Sequence, residues 1–272
     1  MKIWTLMENT AAEETFCAEH GLSFYMETKK HKILFDAGQT DAFAENAKKL
    51  GIDLSQVDVA VLSHGHYDHG GGLLKFLELN EKAPVYVSPG AFGAHYNGTE
   101  KYIGLSDKLA DNPRIIAAHM QGEKGTGKGH SLRLDEELTL YSCNERPRTF
   151  PTDSAGLKIK QNGVFRADDF LHEQYLLVEE EGKRVLFSGC SHKGILNIAD
   201  WFRPDVLIGG FHFMKLDVAK DAELLAEAAN RLLSYPTRYF TGHCTGLAQY
   251  EFLREKMGDR ISYLSAGSCL EI

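Results

Sequence analysis

The chain has 272 residues, of which 43% are hydrophobic and 25% charged, so it is long and apolar enough for one domain with a substantial core. Its formal net charge of −8 leaves no basic footprint for nucleic acid, and no stretch has the apolar length of a membrane span or the apolar core of a signal peptide. The five cysteines are odd in number and widely scattered, which argues against a disulfide framework and for a reducing, cytoplasmic setting.

Strands and helices alternate in the first third of the chain, which is typical of the α/β class. Apolar alternation and short buried runs predict strands over residues 2–7, 22–26, 32–36, 57–62 and 84–88. Apolar residues at helical spacing predict helices over residues 40–50 and 72–79.

The pattern weakens between about residues 92 and 165, and we interpret this part as a loosely patterned insertion within a single domain, 1–272. Its segment 121–130 has four glycines in ten residues and predicts a loop, either a lid over a site or an ordinary surface excursion. Periodicity then returns and predicts strands over 175–179, 184–188, 205–210, 237–240 and 261–264, with helices over 217–233 and 247–257.

Four potential metal ligands follow the buried strand 57–62 within six positions: His64, His66, Asp68 and His69. The carboxyl ends of strands are where open α/β sheets place their chemistry. His64 and His66 are two residues apart, so both can turn to the same side of an extended segment. Imidazole and carboxylate are ligands that zinc prefers, so we predict a metal site with zinc most favoured and Fe, Mn or Mg not excluded.

Three further predicted strand ends lie beside a histidine or a cysteine. Cys190 and His192 follow the strand 184–188, His212 follows 205–210, and His243 follows 237–240. A topology that places these groups at separate strand ends predicts one site built from across the fold.

The His-x-His-x-Asp-His pattern of residues 64–69 resembles the signature of the metallo-β-lactamase superfamily. The resemblance implies a four-layer αββα sandwich with one or two metal ions at its rim. It implies that His64 and His66 belong to a first metal site, and that Asp68, His69 and His243 belong to a second.

The same resemblance implies roles for the remaining candidates. The superfamily places the third histidine of the first site before the hairpin that ends at Cys190, and His172 has that order along the chain. Asp36 matches an early aspartate that orients the metal loop through hydrogen bonds. His192 and His212 could complete the metal shell or contact the substrate.

Cys190 departs from most hydrolases of the superfamily, which have a metal-bridging aspartate at this point. One branch of β-lactamases has a cysteine there that ligates the second metal, and a thiolate is a good zinc ligand. Buried packing is the alternative, since free cysteine is among the most buried residue types. We expect Cys190 to ligate and Cys244 to pack.

The segments 189–194, 209–212 and 241–246 resemble one subgroup of the superfamily, which includes a transferase of methanopterin synthesis. That resemblance implies a phosphorylated or otherwise anionic small-molecule substrate. The run Gly70-Gly71-Gly72 before a helix could let backbone N–H groups meet a phosphate, although turn chemistry alone explains it more simply.

The sequence therefore predicts a metal-dependent hydrolase or transferase that acts on a small phosphorylated or ester substrate. Asp68 is the predicted catalytic residue, which would orient the nucleophile or assist proton transfer besides any ligation. Two alternatives stay open: a dihydropterin diphosphate-dependent transferase of the methanopterin-synthase type, and a metal-binding protein that hydrolyses nothing because Cys190 replaces the bridging aspartate. The oligomeric state is not predicted.

Overall fold

The computed structural model describes residues 1–120 and 131–272, so the predicted loop 121–130 lies outside the described residues. The helices are α1 (Ala42–Lys49), α2 (Tyr67–Gly70), α3 (Leu73–Leu79), α4 (Ile195–Phe202), α5 (Ala222–Leu233) and α6 (Leu247–Met257). The strands are β1 (Lys2–Met7), β2 (Ser23–Glu27), β3 (Lys32–Phe35), β4 (Val59–Val61), β5 (Val85–Val87), β6 (Ala94–Asn97), β7 (Lys101–Tyr102), β8 (Ile115–Ala117), β9 (Ser131–Arg133), β10 (Leu138–Tyr141), β11 (Leu157–Gln161), β12 (Val164–Ala167), β13 (Tyr175–Glu180), β14 (Lys183–Phe187), β15 (Val206–Ile208), β16 (Arg238–Thr241), β17 (Ile261–Tyr263) and β18 (Cys269–Glu271).

Two seven-stranded sheets and one four-stranded sheet organise these strands. The first sheet has the order β18-β1-β2-β3-β4-β5-β8, and the second has the order β17-β16-β15-β14-β13-β10-β9. The small third sheet has the order β12-β11-β6-β7. Pairing is parallel from β3 to β8 in the first sheet and from β14 to β17 in the second, so the carboxyl ends of these strands share one edge of each sheet.

Alternating side chains divide each strand between two cores. Phe35 on β3 and Phe187 on β14 point between the two large sheets, where their ring centroids are 5.7 Å apart. Leu34 packs outward with α1 and α3, and Leu186 packs outward with α4, α5 and α6. Each fully buried side chain of this size contributes roughly 1.5–3 kcal/mol to the free energy of unfolding. The layers therefore run αββα, as predicted.

The segment of weak sequence pattern contributes strands to all three sheets. Strand β8 extends the first large sheet and β9 and β10 extend the second, while β6, β7 and β11 build the small sheet with β12. The Tyr67 N–H donates to the Ile103 carbonyl at 2.9 Å. This hydrogen bond links the segment after β7 to the histidine-rich residues 64–69. The bounds 92–165 for an insertion, and the single domain, stay predictions.

Three helices differ from the sequence expectation, among them α2, which was not predicted, whereas α6 has the predicted bounds. Helix α5 begins at Ala222 and not at residue 217, because the Asp217 Oδ1 accepts the N–H groups of Ala219 and Lys220 at 3.0 Å and holds a separate turn. Helix α4 was not predicted. Within the described ranges, no helix has the length and apolar character needed to cross a membrane.

The glycine run 70–72 serves close backbone packing. The N–H groups of Gly70, Gly71 and Gly72 donate to backbone carbonyls at 3.0, 2.7 and 3.3 Å, so none of them is free for a phosphate. A Cβ atom would lie 2.1 Å from the Gln39 carbonyl oxygen at Gly71 and 2.2 Å from the Ala37 carbonyl oxygen at Gly72. The run is therefore explained by packing and turn geometry, and the phosphate interpretation is wrong.

Gly72→Ala is expected to lower the free energy of unfolding by about 1–3 kcal/mol, because the methyl group would overlap backbone that cannot move independently. Equilibrium urea unfolding of the metal-free protein measures the change. Gly51→Asn is the matched control, since Gly51 has a φ of 73° with open space around it, and asparagine tolerates a left-handed conformation. Equal losses in both variants, or no loss in Gly72→Ala, would contradict the packing argument.

Candidate metal centre

The carboxyl ends of five parallel strands meet where the two large sheets face each other. Several residues that turn the chain there have left-handed backbone conformations: Asp36 after β3 (φ 58°), Ser191 after β14 (φ 58°), His212 after β15 (φ 58°) and His243 after β16 (φ 50°). Such conformations cost about 1–3 kcal/mol each in residues other than glycine, so the surrounding packing must hold them. Four such residues thus lie at the carboxyl ends of neighbouring strands.

The structure brings Asp68, His69, Cys190 and His243 together in one buried cluster, which we call the second cluster. One donor atom from each lies within 4.8 Å of the others. The His69 Nε2 is 3.2 Å from both the Cys190 Sγ and the His243 Nε2. The Asp68 Oδ2 is 3.4 Å from the His243 Nε2 and 3.8 Å from the His69 Nε2. These are the four residues that the sequence assigns to the second metal site.

Hydrogen bonds set the tautomers of both histidines in the second cluster. The His69 Nδ1 lies 2.7 Å from the Asp36 Oδ2, and the His243 Nδ1 lies 2.9 Å from the Asn9 Oδ1. Carboxylate and amide oxygens only accept, so each Nδ1 carries the proton. Each Nε2 therefore directs a lone pair into the cluster. Two lone pairs, a thiol and a carboxylate that face one another make a donor set that fits a divalent cation.

A first cluster consists of His64, His66 and His192, which are all buried. The Nε2 atoms of His64 and His192 face each other at 3.3 Å. The Ser63 Oγ donates to the Asp36 Oδ2 at 2.7 Å and accepts from the His64 Nδ1 at 2.9 Å, so the His64 Nε2 presents a lone pair. The His192 ring is stacked on Phe170, with centroids 4.3 Å apart. Three converging imidazoles also fit a divalent cation.

The structure groups His192 with both His64 and His66, whereas His172 is grouped with His66 and not with His64. The His172 Nδ1 accepts the Gly65 N–H at 2.9 Å, and its Nε2 lies 3.3 Å from the Asp168 Oδ2. Sequence order favoured His172 because the superfamily pattern expects the third histidine before the hairpin. Here the third imidazole of the first cluster comes after the hairpin, from the turn that follows β14. The assignment of individual ligands stays a prediction.

The three imidazoles of the first cluster and the Asp68 carboxyl have the protonation states that metal binding needs. Burial, and then the neighbouring imidazoles, hold the pKa values of His64, His66 and His192 well below the ordinary value, so these rings are neutral. Burial acts to raise the pKa of Asp68, but His69 and His243 outweigh it and hold that pKa well below its usual range. Neutral imidazole and ionised carboxylate are the ligand forms of both groups.

The Cys190 side chain points its sulfur into the second cluster. Burial, and then the adjacent Cys244 thiol, raise the pKa of Cys190 well above its ordinary value, so the group is a neutral thiol in the protein alone. A bound divalent cation reverses this preference, because coordination deprotonates a thiol. The Cys244 Sγ lies 3.4 Å from the Cys190 carbonyl oxygen, so Cys244 contacts the backbone of the turn that carries Cys190.

Sequence reasoning missed several groups that contact the site. The His20 Nε2 lies 3.4 Å from the Asp68 Oδ2, and Asn9 contacts His243 as described above. Both come from the connection between β1 and β2, where no motif marks them. Only the folded chain brings this connection against strand ends that lie more than two hundred residues away in sequence.

A cleft opens above both clusters and is lined by basic and polar side chains. Lys101 on β7 and Lys215 after β15 lie at its walls, together with Asn97 and His212. The Lys101 Nζ is 3.1 Å from the Tyr67 hydroxyl, and the Lys215 Nζ is 2.5 Å from the Ala155 carbonyl oxygen. Burial lowers the pKa of His212 to about 4, so this imidazole is neutral at physiological pH. The two lysines give the cleft positive charge.

Comparison with known proteins gives consistent results. Residues 18–144 match the family model of the metallo-β-lactamase superfamily. The 7,8-dihydropterin-6-methyl-4-(β-D-ribofuranosyl)-aminobenzene-5′-phosphate synthase of Methanocaldococcus jannaschii is 28% identical over 291 residues, covering 100% of this chain and 96% of the synthase.

Solved structures show the same fold. The crystal structure of Tm1679, described as a metal-dependent hydrolase of the β-lactamase superfamily, has a TM-score of 0.79 and 29% identity, covering 100% of this chain and 99% of that chain. Zn²⁺-bound PqqB from Methylobacterium extorquens has a TM-score of 0.59 and 14% identity, covering 100% of both chains, and supports the fold alone. These findings confirm the resemblance inferred from the sequence: the chain is similar to the metallo-β-lactamase superfamily and has its fold.

Proposed function

We propose that this protein is a metal-dependent hydrolase or transferase that acts on a small phosphorylated or otherwise anionic substrate. The observation that carries the proposal is the cleft itself, because two donor clusters lie at its floor and two lysines lie at its walls. The superfamily binds divalent metal ions, and the donor sets described above fit such ions. Nucleic acid and membranes are not proposed as partners, given the net charge of −8.

Zinc is the proposed metal, because a buried thiol and imidazoles match its ligand preferences better than those of Mg²⁺, which prefers oxygen. His64, His66 and His192 would hold one ion, and Asp68, His69, Cys190 and His243 the other. Such ions would supply an activated water and would polarise a phosphoryl or carbonyl oxygen. The Asp68 carboxylate, which lies 3.4 Å from both the His20 Nε2 and the His243 Nε2, would orient the nucleophile or accept its proton.

Lys101 and Lys215 would bind the anionic part of the substrate, and Asn97 would add amide hydrogen bonds. The name of the Methanocaldococcus relative describes a product that carries a 5′-phosphate, which is consistent with an anionic substrate here. A transferase of that type is the finer form of the proposal. All five cysteines are unpaired, which supports a reducing, cytoplasmic location.

A second candidate is a metal-binding protein without hydrolytic activity. The observation that favours it is Cys190, because a thiolate at this strand end leaves the second cluster without a bridging carboxylate. Turnover of any phosphoester, diphosphate or ester at a rate that depends on the metal would exclude it.

The first step is to search for turnover by the zinc-reconstituted protein. The substrates are a panel of phosphomonoesters, phosphodiesters, diphosphates and neutral esters. With the best anionic substrate, Lys101→Met and Lys215→Met should each raise KM roughly 10- to 100-fold, since each removes a charge-assisted hydrogen bond of about 1.5–3 kcal/mol. Lys75→Met is the matched control, because Lys75 lies on α3 and pairs with Glu78. Unchanged KM in both cleft variants, or turnover confined to neutral esters, would contradict the anionic substrate.

Asp68→Asn should lower kcat by at least about 10²-fold, because an amide cannot accept a proton and is a poor metal ligand. Steady-state kinetics measure the loss, and circular dichroism tests whether the fold is kept. Turnover at the wild-type rate in a folded Asp68→Asn variant would remove Asp68 from the mechanism.

Cys190→Ala should lower the affinity of the second cluster for its cation and abolish the thiolate-to-cobalt charge-transfer band of the Co²⁺-substituted protein. Cys244→Ala is the matched control, because its sulfur lies near the Cys190 carbonyl and outside the second cluster. Absorption spectroscopy during Co²⁺ titration of the metal-free protein reads both variants. A band that survives in Cys190→Ala but disappears in Cys244→Ala would assign the thiolate ligand to Cys244.

A further inference from the structure

Three consecutive residues directly before β13 are buried and have no role in the function proposed above: His172, Glu173 and Gln174. On one side they contact the turn after β4. The His172 Nδ1 accepts the Gly65 N–H at 2.9 Å, and the Gln174 N–H donates to the Ser63 carbonyl at 2.8 Å. These two hydrogen bonds hold the backbone on both sides of His64.

On the other side, the Glu173 carboxylate contacts the turn after β14. Its Oε1 accepts the His192 N–H at 2.6 Å, and its Oε2 accepts the Lys193 N–H at 3.0 Å. The Tyr175 hydroxyl donates to the same Oε2 at 2.7 Å. Hydrogen bonds to a carboxylate are stronger than those to a neutral oxygen, so Glu173 holds two successive backbone N–H groups of the turn firmly.

The buried Lys193 side chain contacts the same segment in return. Its Nζ donates to the Glu173 carbonyl at 2.9 Å and to the Ser142 carbonyl at 2.7 Å. Burial lowers the pKa of Lys193 to about 8, although the neighbouring Glu173 carboxylate acts to raise it. Glu173 thus bonds to the backbone of Lys193, while Lys193 bonds to the backbone of Glu173. These reciprocal contacts fix the two segments to each other.

Both sets of contacts meet at the first cluster. His64 follows a strand of the first sheet and His192 follows a strand of the second, and their Nε2 atoms are 3.3 Å apart. The segment 172–174 bonds to the residues on both sides of His64 and to the backbone of His192. It therefore connects the two turns that carry these histidines, and the connection determines how far apart their donor atoms lie.

Different groups hold the part of the turn that carries Cys190. The Gly189 carbonyl accepts the Gly210 N–H at 2.8 Å, and the Cys244 Sγ lies 3.4 Å from the Cys190 carbonyl oxygen. These contacts do not involve Glu173. A change at Glu173 should therefore affect the first cluster more than the second.

We propose that Glu173 is a positioning residue that holds the His192 backbone and so fixes the distance between the His64 and His192 donor atoms before a metal ion binds. The proposal rests on metal binding at the first cluster, as proposed above. Groups that hold metal ligands in place from outside the ligand shell typically contribute 10- to 100-fold in metal affinity.

Glu173→Met tests this role, because methionine has a similar length but a thioether is only a weak acceptor. Co²⁺ titration of the metal-free protein with chelator competition should show the first cluster's affinity reduced about 10- to 100-fold and its ligand-field absorption altered. The thiolate band of the second cluster should stay unchanged. Glu173→Gln, whose amide oxygen can still accept one of the two N–H groups, should recover part of the affinity.

Tyr175→Phe is the matched control, because it removes a hydrogen bond of the same carboxylate but none to the turn that carries His192. It should lower the free energy of unfolding and leave the first cluster's affinity and absorption unchanged. Circular dichroism tests whether each variant keeps the fold. An equal loss of affinity in Tyr175→Phe and Glu173→Met would indicate a general loss of packing and would overturn the proposal.

A measurement on the unaltered chain covers the case in which Glu173→Met does not fold. Hydrogen exchange of the metal-free protein, followed by NMR, should show protected amide protons at His192 and Lys193, because Glu173 accepts both without a metal ion. Amide protons that exchange freely until zinc is added would show that the metal places the turn, and would overturn the proposal. Unchanged first-cluster affinity in folded Glu173→Met would overturn it as well.

These outcomes separate the positioning role from the proposed function. Normal metal binding with no effect of Glu173→Met contradicts the positioning role alone. The expected metal affinities without turnover of any anionic substrate contradict the proposed function alone. Absence of metal uptake by the wild-type chain contradicts both.

Discussion

The buried Asp36 carboxylate is the interaction on which the rest of the site depends. Its Oδ1 accepts the Ser63 N–H, and its Oδ2 accepts from the Ser63 hydroxyl and from the His69 Nδ1, all at 2.7 Å. Through Ser63 it also fixes the ring of His64. One side chain at the end of β3 therefore sets a tautomer in each of the two clusters. Its left-handed backbone, with a φ of 58°, lets it turn back toward β4.

The clusters combine groups from both large sheets. Asp68 and His69 follow β4 of the first sheet, whereas Cys190 and His243 follow strands of the second. Gly189 allows the turn after β14 to approach Ser63 closely, because a Cβ atom at Gly189 would lie 2.2 Å from the Ser63 Oγ. The inner core that holds the two sheets together thus also determines the distances between the donor atoms. The packing of the two large sheets therefore affects the geometry of both clusters.

Local sequence patterns predicted many of the strands, helices and site residues. The remaining features depend on contacts between distant segments, which local patterns do not indicate. Helix α6 and the residue group 64–69 depend on spacing within a few residues, so the sequence alone indicates them. The neighbours of His64 include His192, and the two come together only because the two large sheets face each other. Asn9 and Lys101 carry no motif, and only the folded chain brings the β1–β2 connection and strand β7 to the site. The start of α5 depended on a side-chain turn that periodicity does not detect.

The division of the donor groups along the chain has a consequence for protein synthesis. The first cluster needs His192, and the second needs Cys190 and His243, so both are completed by the last third of the sequence. A nascent chain that emerges from the ribosome amino terminus first presents only the histidines and carboxylate of residues 64–69 until that part has folded. The donor groups of each cluster therefore converge only in the finished protein.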